Sequence, residues 1–114
     1  MRDILFRGWS IIQDKWVYGY LYNLERVGFF IKEINGYTYP IDKKSIGQYV
    51  GLEDCSNTKI FEGDIMYDEF GEIGVVEWYN QEGGFFCNGD TLRDLIINEA
   101  YAYDNKYERG RNNG

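Results

Sequence analysis

Phe61-Glu62-Gly63-Asp64-Ile65-Met66-Tyr67-Asp68-Glu69-Phe70-Gly71-Glu72-Ile73-Gly74-Val75-Val76-Glu77-Trp78 reads as an acidic turn followed by a hairpin. Glu62-Gly63-Asp64 is the turn: Gly63 permits it, and Asp64 can accept backbone N–H bonds as an Asx-turn residue. Residues 65–67 form the outgoing strand, 68–72 a charged loop and 74–79 the return strand. In the return strand Val76 and Trp78 share one face and Val75 and Glu77 the other, the alternation of a pleated strand.

The same texture extends both ways along the chain. Downstream, residues 81–84 read as a turn and Phe85-Phe86-Cys87 as a strand. Asn88-Gly89-Asp90 is a further turn, with Asp90 the expected cap of a single helical turn at 91–95. Residues 96–103 read as the last strand. The stretch 106–114 is polar, without apolar periodicity, and is expected to fray. Upstream, short strands are expected at 4–9, 16–22, 27–31 and 37–41, with Asn35-Gly36 as a tight hairpin turn and Pro40 near a strand end. Residues 45–52 read as extended and 54–57 as a polar turn leading to Lys59-Ile60-Phe61. The fold class that follows is mostly β, at the outside α+β, made of short antiparallel strands with at most one short helix.

One strand differs from the rest. Trp16, Tyr18, Tyr20 and Tyr22 fall at period two, so one face of 16–22 is wholly aromatic, while Val17, Gly19 and Leu21 line the other. A strand apolar on both faces is usually covered on both. The expectation is therefore a central strand in a core or an oligomer contact. The functional alternatives are a self-association surface and a platform for stacking bases.

Composition bounds the function. A chain of 114 residues suits one domain or two small subdomains. Fourteen glycines and a single proline in a chain with eleven tyrosines fit short strands joined by turns. No apolar run approaches the roughly 20 residues of a membrane-spanning helix. The start, Met1-Arg2-Asp3-Ile4-Leu5-Phe6-Arg7, lacks the apolar core of a signal peptide, so a cytoplasmic protein is expected. Cys55 and Cys87 form no Cys-x-x-Cys pair and read as reduced thiols. Histidine is absent, which removes the commonest general base and the commonest metal ligand.

Charge is unevenly spread. Residues 53–90 carry ten acids against the single base Lys59, whereas residues 1–52 carry seven bases against five acids. The acidic block reads either as a solubilising face or as a surface for a basic partner. Within it, Glu62, Asp64 and Glu77 are the candidate acidic cluster, since carboxylates brought together on a hairpin can hold Mg²⁺ for phosphodiester hydrolysis. Such a site usually also needs a cation to steady the developing charge, and the block offers only Lys59. No glycine is followed by lysine, so no phosphate loop is present, and no serine or cysteine has a histidine to activate it. No catalytic residue, metal ligand or cofactor is therefore assigned.

Five motifs occur together and in order: Ile4-Leu5-Phe6-Arg7, Lys15-Trp16-Val17-Tyr18-Gly19, Ile46-Gly47-Gln48-Tyr49-Val50-Gly51-Leu52, Ile60-Phe61-Glu62-Gly63-Asp64-Ile65 and Gly74-Val75-Val76-Glu77-Trp78. In this the chain resembles YopX-like proteins of phages and prophages, over about residues 2–87. The resemblance implies a phage- or prophage-derived, mostly β protein with an SH3-like small barrel in its second half. It brings no reaction, cofactor or catalytic residue. The expected organisation is a single YopX-like domain, divisible into a β subdomain at 1–52, a small barrel at 53–105 and a tail at 106–114.

The leading expectation is a non-enzymatic protein-interaction or oligomerising module. It uses the face of Trp16, Tyr18, Tyr20 and Tyr22, and its partner is a second copy or a host or phage protein. The alternative is a single-stranded nucleic-acid binder using the same rings beside Arg2, Arg7, Lys15, Arg26, Lys32, Lys43 and Lys44, against which the sequence pI of about 4.5 weighs. A Mg²⁺-dependent nuclease built on Glu62, Asp64 and Glu77 is the third.

Overall fold

A computed structural model describes residues 5–113. Ile4 and Arg2, which the sequence reading placed in the first strand and in the basic set, lie outside the described residues. The chain forms two compact units, Met1–Tyr49 and Val50–Gly114.

The first unit is an antiparallel meander. β1 (Phe6–Ser10), β2 (Lys15–Leu24), β3 (Gly28–Lys32) and β4 (Thr38–Pro40) follow one another in the sheet, and β5 (Gly47–Glu53) lies on the other side of β1. A turn at Asn35-Gly36 joins β3 to β4, but in a longer connection, 33–37, than the tight hairpin expected: Gly36 takes a positive φ of +95° and Asn35 does not, its side-chain oxygen instead accepting the Tyr37 N–H at 3.1 Å. Pro40 sits in the edge strand, where a missing N–H is tolerated. A one-turn 3₁₀ helix, Lys43–Ser45, precedes β5 and is capped by Asp42, whose carboxylate accepts the Lys44 N–H at 3.0 Å.

Register decides which side chains face inward. Gly8 pairs with Val17, Phe6 with Gly19, Leu21 with Ile31, and Ile31 with Tyr39. Paired residues share a face, and this one is the core: Val17, Ile31 and Ile41 are buried, with Phe6, Leu21, Phe29, Tyr39 and Ile46 packed on them. Gly19 is required where β2 meets β3, because a Cβ there would collide with the carbonyl oxygen of Lys32.

The boundary between the units falls inside β5. In the second unit β6 (Lys59–Phe61) lies beside β5. A five-stranded antiparallel sheet follows, in the order β10-β9-β8-β7-β11: β7 (Asp64–Asp68), β8 (Gly71–Tyr79), β9 (Gly84–Cys87), β10 (Asp90–Thr91) and β11 (Tyr101–Asn105). The expected SH3-like barrel is not borne out: β10 and β11 are the two edges of an open sheet, and among the described residues no pairing closes it. The hairpin that opened the sequence reading is β7–β8, entered through Gly63 at φ +93°. Val76 is fully buried at its centre. The core of this unit gathers Val50, Ile60, Met66, Val76, Cys87, Leu92, Leu95 and Ala100.

Two short helices are present where at most one was expected. α1 (Leu92–Ile97) begins one residue later than the reading had it. Its cap is Thr91, whose hydroxyl accepts the Asp94 N–H at 3.2 Å, while Asp90 is taken up in β10 opposite Cys87. The last strand is correspondingly shorter than 96–103, since Ile96 belongs to α1. The stretch expected to fray contains α2 (Lys106–Asn113). Asn105 caps it: its oxygen accepts the Glu108 N–H at 2.9 Å and its side-chain amide donates to the Glu108 carboxylate at 3.2 Å, while its own backbone N–H donates to the Asp104 carboxylate at 2.8 Å. Arg109 then ties the helix to the sheet, donating to the Tyr67 hydroxyl at 2.8 Å and pairing with Glu72 at 2.9 Å and Asp104 at 3.5 Å.

Candidate interaction surface

The face of the first unit opposite its core is aromatic. Trp9 pairs with Trp16, Arg7 with Tyr18, Tyr20 with Lys32, Tyr22 with Phe30, and Phe30 with Pro40. The structure thus brings Trp16, Tyr18, Tyr20 and Tyr22 onto one face, as the spacing required, and adds Trp9 and Phe30 from the flanking strands. The two indoles meet edge to face at 5.4 Å, and Tyr22 stacks on Phe30 at 5.7 Å. The Arg7 guanidinium lies 4.5 Å from the centre of the Trp16 ring.

Coverage differs from the expectation. β2 is central in its sheet, but only its Val17 face is packed away. Tyr18, Tyr20 and Tyr22 are 43 %, 62 % and 38 % exposed, and Trp16 is partly so. β1 pairs with the first half of β2, Lys15 to Gly19, and β3 with the second half, Tyr20 to Leu24, and these pairings leave the tyrosine face exposed. Leu24 and Val27, at the end of β2 and in the next turn, continue the exposed apolar surface. Charge is nearly absent. No strand position paired onto this face within the first unit is acidic, and of its two cations Arg7 is only 7 % exposed, which leaves Lys32 as the accessible one. Depletion of charge with enrichment of tyrosine and tryptophan marks the centre of protein interfaces.

The acidic candidates part company. Gly63 N–H donates to the Val76 carbonyl at 2.9 Å, which sets Glu62 and Glu77 at the same end of the hairpin. Asp64, however, is buried, and its carboxylate accepts the Phe61 N–H at 2.8 Å, so it closes the turn from within. Glu77 is exposed and Glu62 partly so. Among the described residues no three acidic, cysteine or histidine side chains stand close enough to hold a metal ion.

Sequence reading missed Asp54, assigned merely to a polar turn. Its buried carboxylate accepts three backbone N–H groups: Ser56 at 2.8 Å, Thr58 at 3.0 Å and Ala102 at 2.9 Å. The Asp-x-Ser-x-Thr spacing signals the first two, but nothing in the sequence signals Ala102, 48 residues away. Cys55 is exposed beside this turn and Cys87 is buried. Burial first, and the Asp90 carboxylate second, push the Cys87 thiol up to about 11. Among the described residues no helix is long and apolar enough to cross a membrane.

Compared with known proteins, the chain is matched over residues 5–108 by a family model described as YopX protein. No curated protein matches it.

Proposed function

The chain belongs to the YopX protein family, and on that premise we propose that it is a non-enzymatic interaction module working through the aromatic sheet face of its first unit. The observation that carries this is the uncovered row Tyr18, Tyr20 and Tyr22 on a strand whose other face is packed in the core. A sheet face needs no exposed aromatic residues to fold, and a contiguous apolar patch of this kind usually marks a site of contact. Tyrosine suits the task, since it offers a large rigid ring with few rotatable bonds and a polar tip. The phage or prophage origin and the bacterial cytoplasm implied by the family resemblance belong to the same reading, as does a partner drawn from the chain itself, the phage or the host.

The test is a triple variant, Tyr18→Ser, Tyr20→Ser and Tyr22→Ser. Affinity capture from a host lysate and light scattering of the purified protein are compared with the wild type. The reading predicts a variant that folds and loses its associations. A folded variant that keeps every association of the wild type would remove this face from the account.

Single-stranded nucleic acid is the second reading, favoured by Lys32 beside Tyr20 and by the rings of Trp16 and Tyr18. It predicts salt-sensitive binding to short oligonucleotides that weakens on Trp16→Ala. The scarcity of accessible cations on the face and the net charge of −7 weigh for a protein partner instead.

A further inference from the structure

We propose that Tyr67, Glu72 and Asp104 form a guanidinium cradle that Arg109 of α2 fills from within the chain, and that an arginine side chain of a partner protein takes its place when α2 lifts away. The site lies in the second unit and does not depend on the aromatic face of the first.

Three strands build the cradle. Tyr67 pairs with Tyr101 on β11 and with Glu72 on β8, and Asp104 pairs with Ile65, two residues before Tyr67. Paired residues, and residues two apart on a strand, share a face. Tyr67, Tyr101, Glu72 and Asp104 therefore stand on the sheet face opposite Met66, which belongs to the core. There, three oxygens meet three different nitrogens of one guanidinium. The Tyr67 hydroxyl accepts from Nη2 at 2.8 Å, Glu72 Oε1 lies 2.9 Å from Nη1, and Asp104 Oδ2 lies 3.5 Å from Nε. The other Asp104 oxygen accepts the Asn105 N–H at 2.8 Å, which fixes the carboxylate. The Tyr67 ring is held too, stacked on Tyr101 at 6.1 Å and edge to face with Tyr103 at 5.7 Å. Oxygens spread around a planar fork match arginine by shape, whereas a lysine ammonium is a point charge that meets them poorly.

The occupant can be exchanged. α2 has eight residues, with Gly110 inside it and Tyr107 as its one apolar residue. A helix this short does not hold by itself in water, so it depends on its anchors. The anchor at Arg109 is open to solvent: its side chain is 37 % exposed, and those of Glu72 and Asp104 are 45 % and 32 % exposed. Ion pairs exposed to this degree hold weakly. The field around the site favours an incoming cation, since Val50–Gly114 carries fourteen acidic and five basic residues. Arg109 keeps one advantage, its tether, which gives it an effective concentration on the order of millimolar. A partner's arginine therefore competes poorly while Arg109 is in place and well once it is gone. Helix docking and partner binding exclude each other, which makes α2 an autoinhibitory strap.

The experiment uses the full chain and two charge-matched probes, triarginine and trilysine. Calorimetry gives the affinity of each for wild type, for Arg109→Ala, and for Arg109→Ala combined with Glu72→Gln and Asp104→Asn, all first shown by circular dichroism to be folded. The proposal predicts that Arg109→Ala binds triarginine at least about 10-fold tighter than wild type does, as removal of a tethered competitor requires. It also predicts that Arg109→Ala prefers triarginine to trilysine at least about 5-fold, and that the added carboxylate substitutions abolish this preference. Equal affinity of Arg109→Ala and wild type for triarginine overturns the proposal. So does equal binding of the two probes by Arg109→Ala, which would reduce the site to a general acidic field. Hydrogen exchange on wild type needs no variant to fold: triarginine at saturation is expected to speed exchange of the α2 amides and leave those of β7 unchanged. Exchange of α2 that triarginine does not alter overturns the displacement.

Discussion

The first unit turns aromatic rings outward, whereas the second turns carboxylates inward. In Met1–Tyr49 a small core of Val17, Ile31 and Ile41 supports a sheet whose other face is left bare. In Val50–Gly114 a larger core is fastened at its loops by buried Asp54 and Asp64, each accepting backbone N–H groups that would otherwise be unpaired. Each arrangement inverts the usual placement of its residue type. The inversions teach different things. A buried carboxylate with three backbone donors has a structural explanation in full view. A row of tyrosines 38 to 62 % exposed is left largely outside the packing of the described residues, and so points to a partner.

The largest expected effect breaks the second unit. Asp54→Ala leaves the N–H groups of Ser56, Thr58 and Ala102 without their acceptor and is expected to cost roughly 4 kcal/mol in denaturant unfolding. Hydrogen exchange at those three amides should rise with it. A loss below about 1 kcal/mol would mean that water replaces the carboxylate and that this unit is not fastened as described.

Next comes the backbone contact that the first unit cannot relax. Gly19→Ala drives a Cβ against the Lys32 carbonyl, and roughly 3 kcal/mol of destabilisation is expected by the same measurement. Asn105→Ala removes both arms of the α2 cap and is expected to cost about 1 kcal/mol. Tyr20→Ser is expected to change stability by no more than about 0.5 kcal/mol, as an exposed site should. The comparison is sharpened there, since the same substitution is expected to weaken association strongly. A stability loss of 2 kcal/mol or more would make Tyr20 a packing residue and erase the contrast.

The smallest effect concerns the thiols. In native protein at neutral pH, Cys55 is expected to react with a thiol reagent and Cys87 only after unfolding. The pH dependence has a definite sign. Burial raises the native Cys87 pKa to about 11 from an ordinary value of 9.0, so the native state favours the protonated thiol. Its contribution to stability is full below about pH 9 and is lost as pH rises towards 11. A Cys87→Ala variant should show less of that alkaline loss when the two melting curves are compared across this window.

Much of the architecture was legible because period-two patterns and turn residues are local signals. Trp16 to Tyr22 announced a strand with one aromatic face, and Asn35-Gly36 and Glu62-Gly63-Asp64 announced turns, all of which the structure contains. Where the reading went astray, the deciding partner was elsewhere. Asp90 is the better cap by residue type, but pairing with Cys87 draws it into β10 and leaves the cap to Thr91. The polar segment after Asn105 has no apolar stripe, yet its cap and the Arg109 contacts with Tyr67, Glu72 and Asp104 make it helical. The open edge of the second sheet is likewise a matter of which strands find each other, which no window of sequence reports. Coverage of the aromatic face was illegible for a related reason: alternation tells which residues share a face, and packing alone tells whether anything lies over it.

The central claim is that the Tyr18, Tyr20 and Tyr22 face is where this molecule makes contact. Oxidative footprinting of the dilute purified chain, and of the same chain in the complex captured from a host lysate or at a concentration where it self-associates, tests it most directly, with the exposed Tyr37 and Tyr103 as internal references. The account predicts that Tyr18, Tyr20 and Tyr22 become protected in the associated state while Tyr37 and Tyr103 label equally in both. Labelling of all five residues that is the same in the dilute and associated states, or protection confined to Tyr37 or Tyr103, would contradict it.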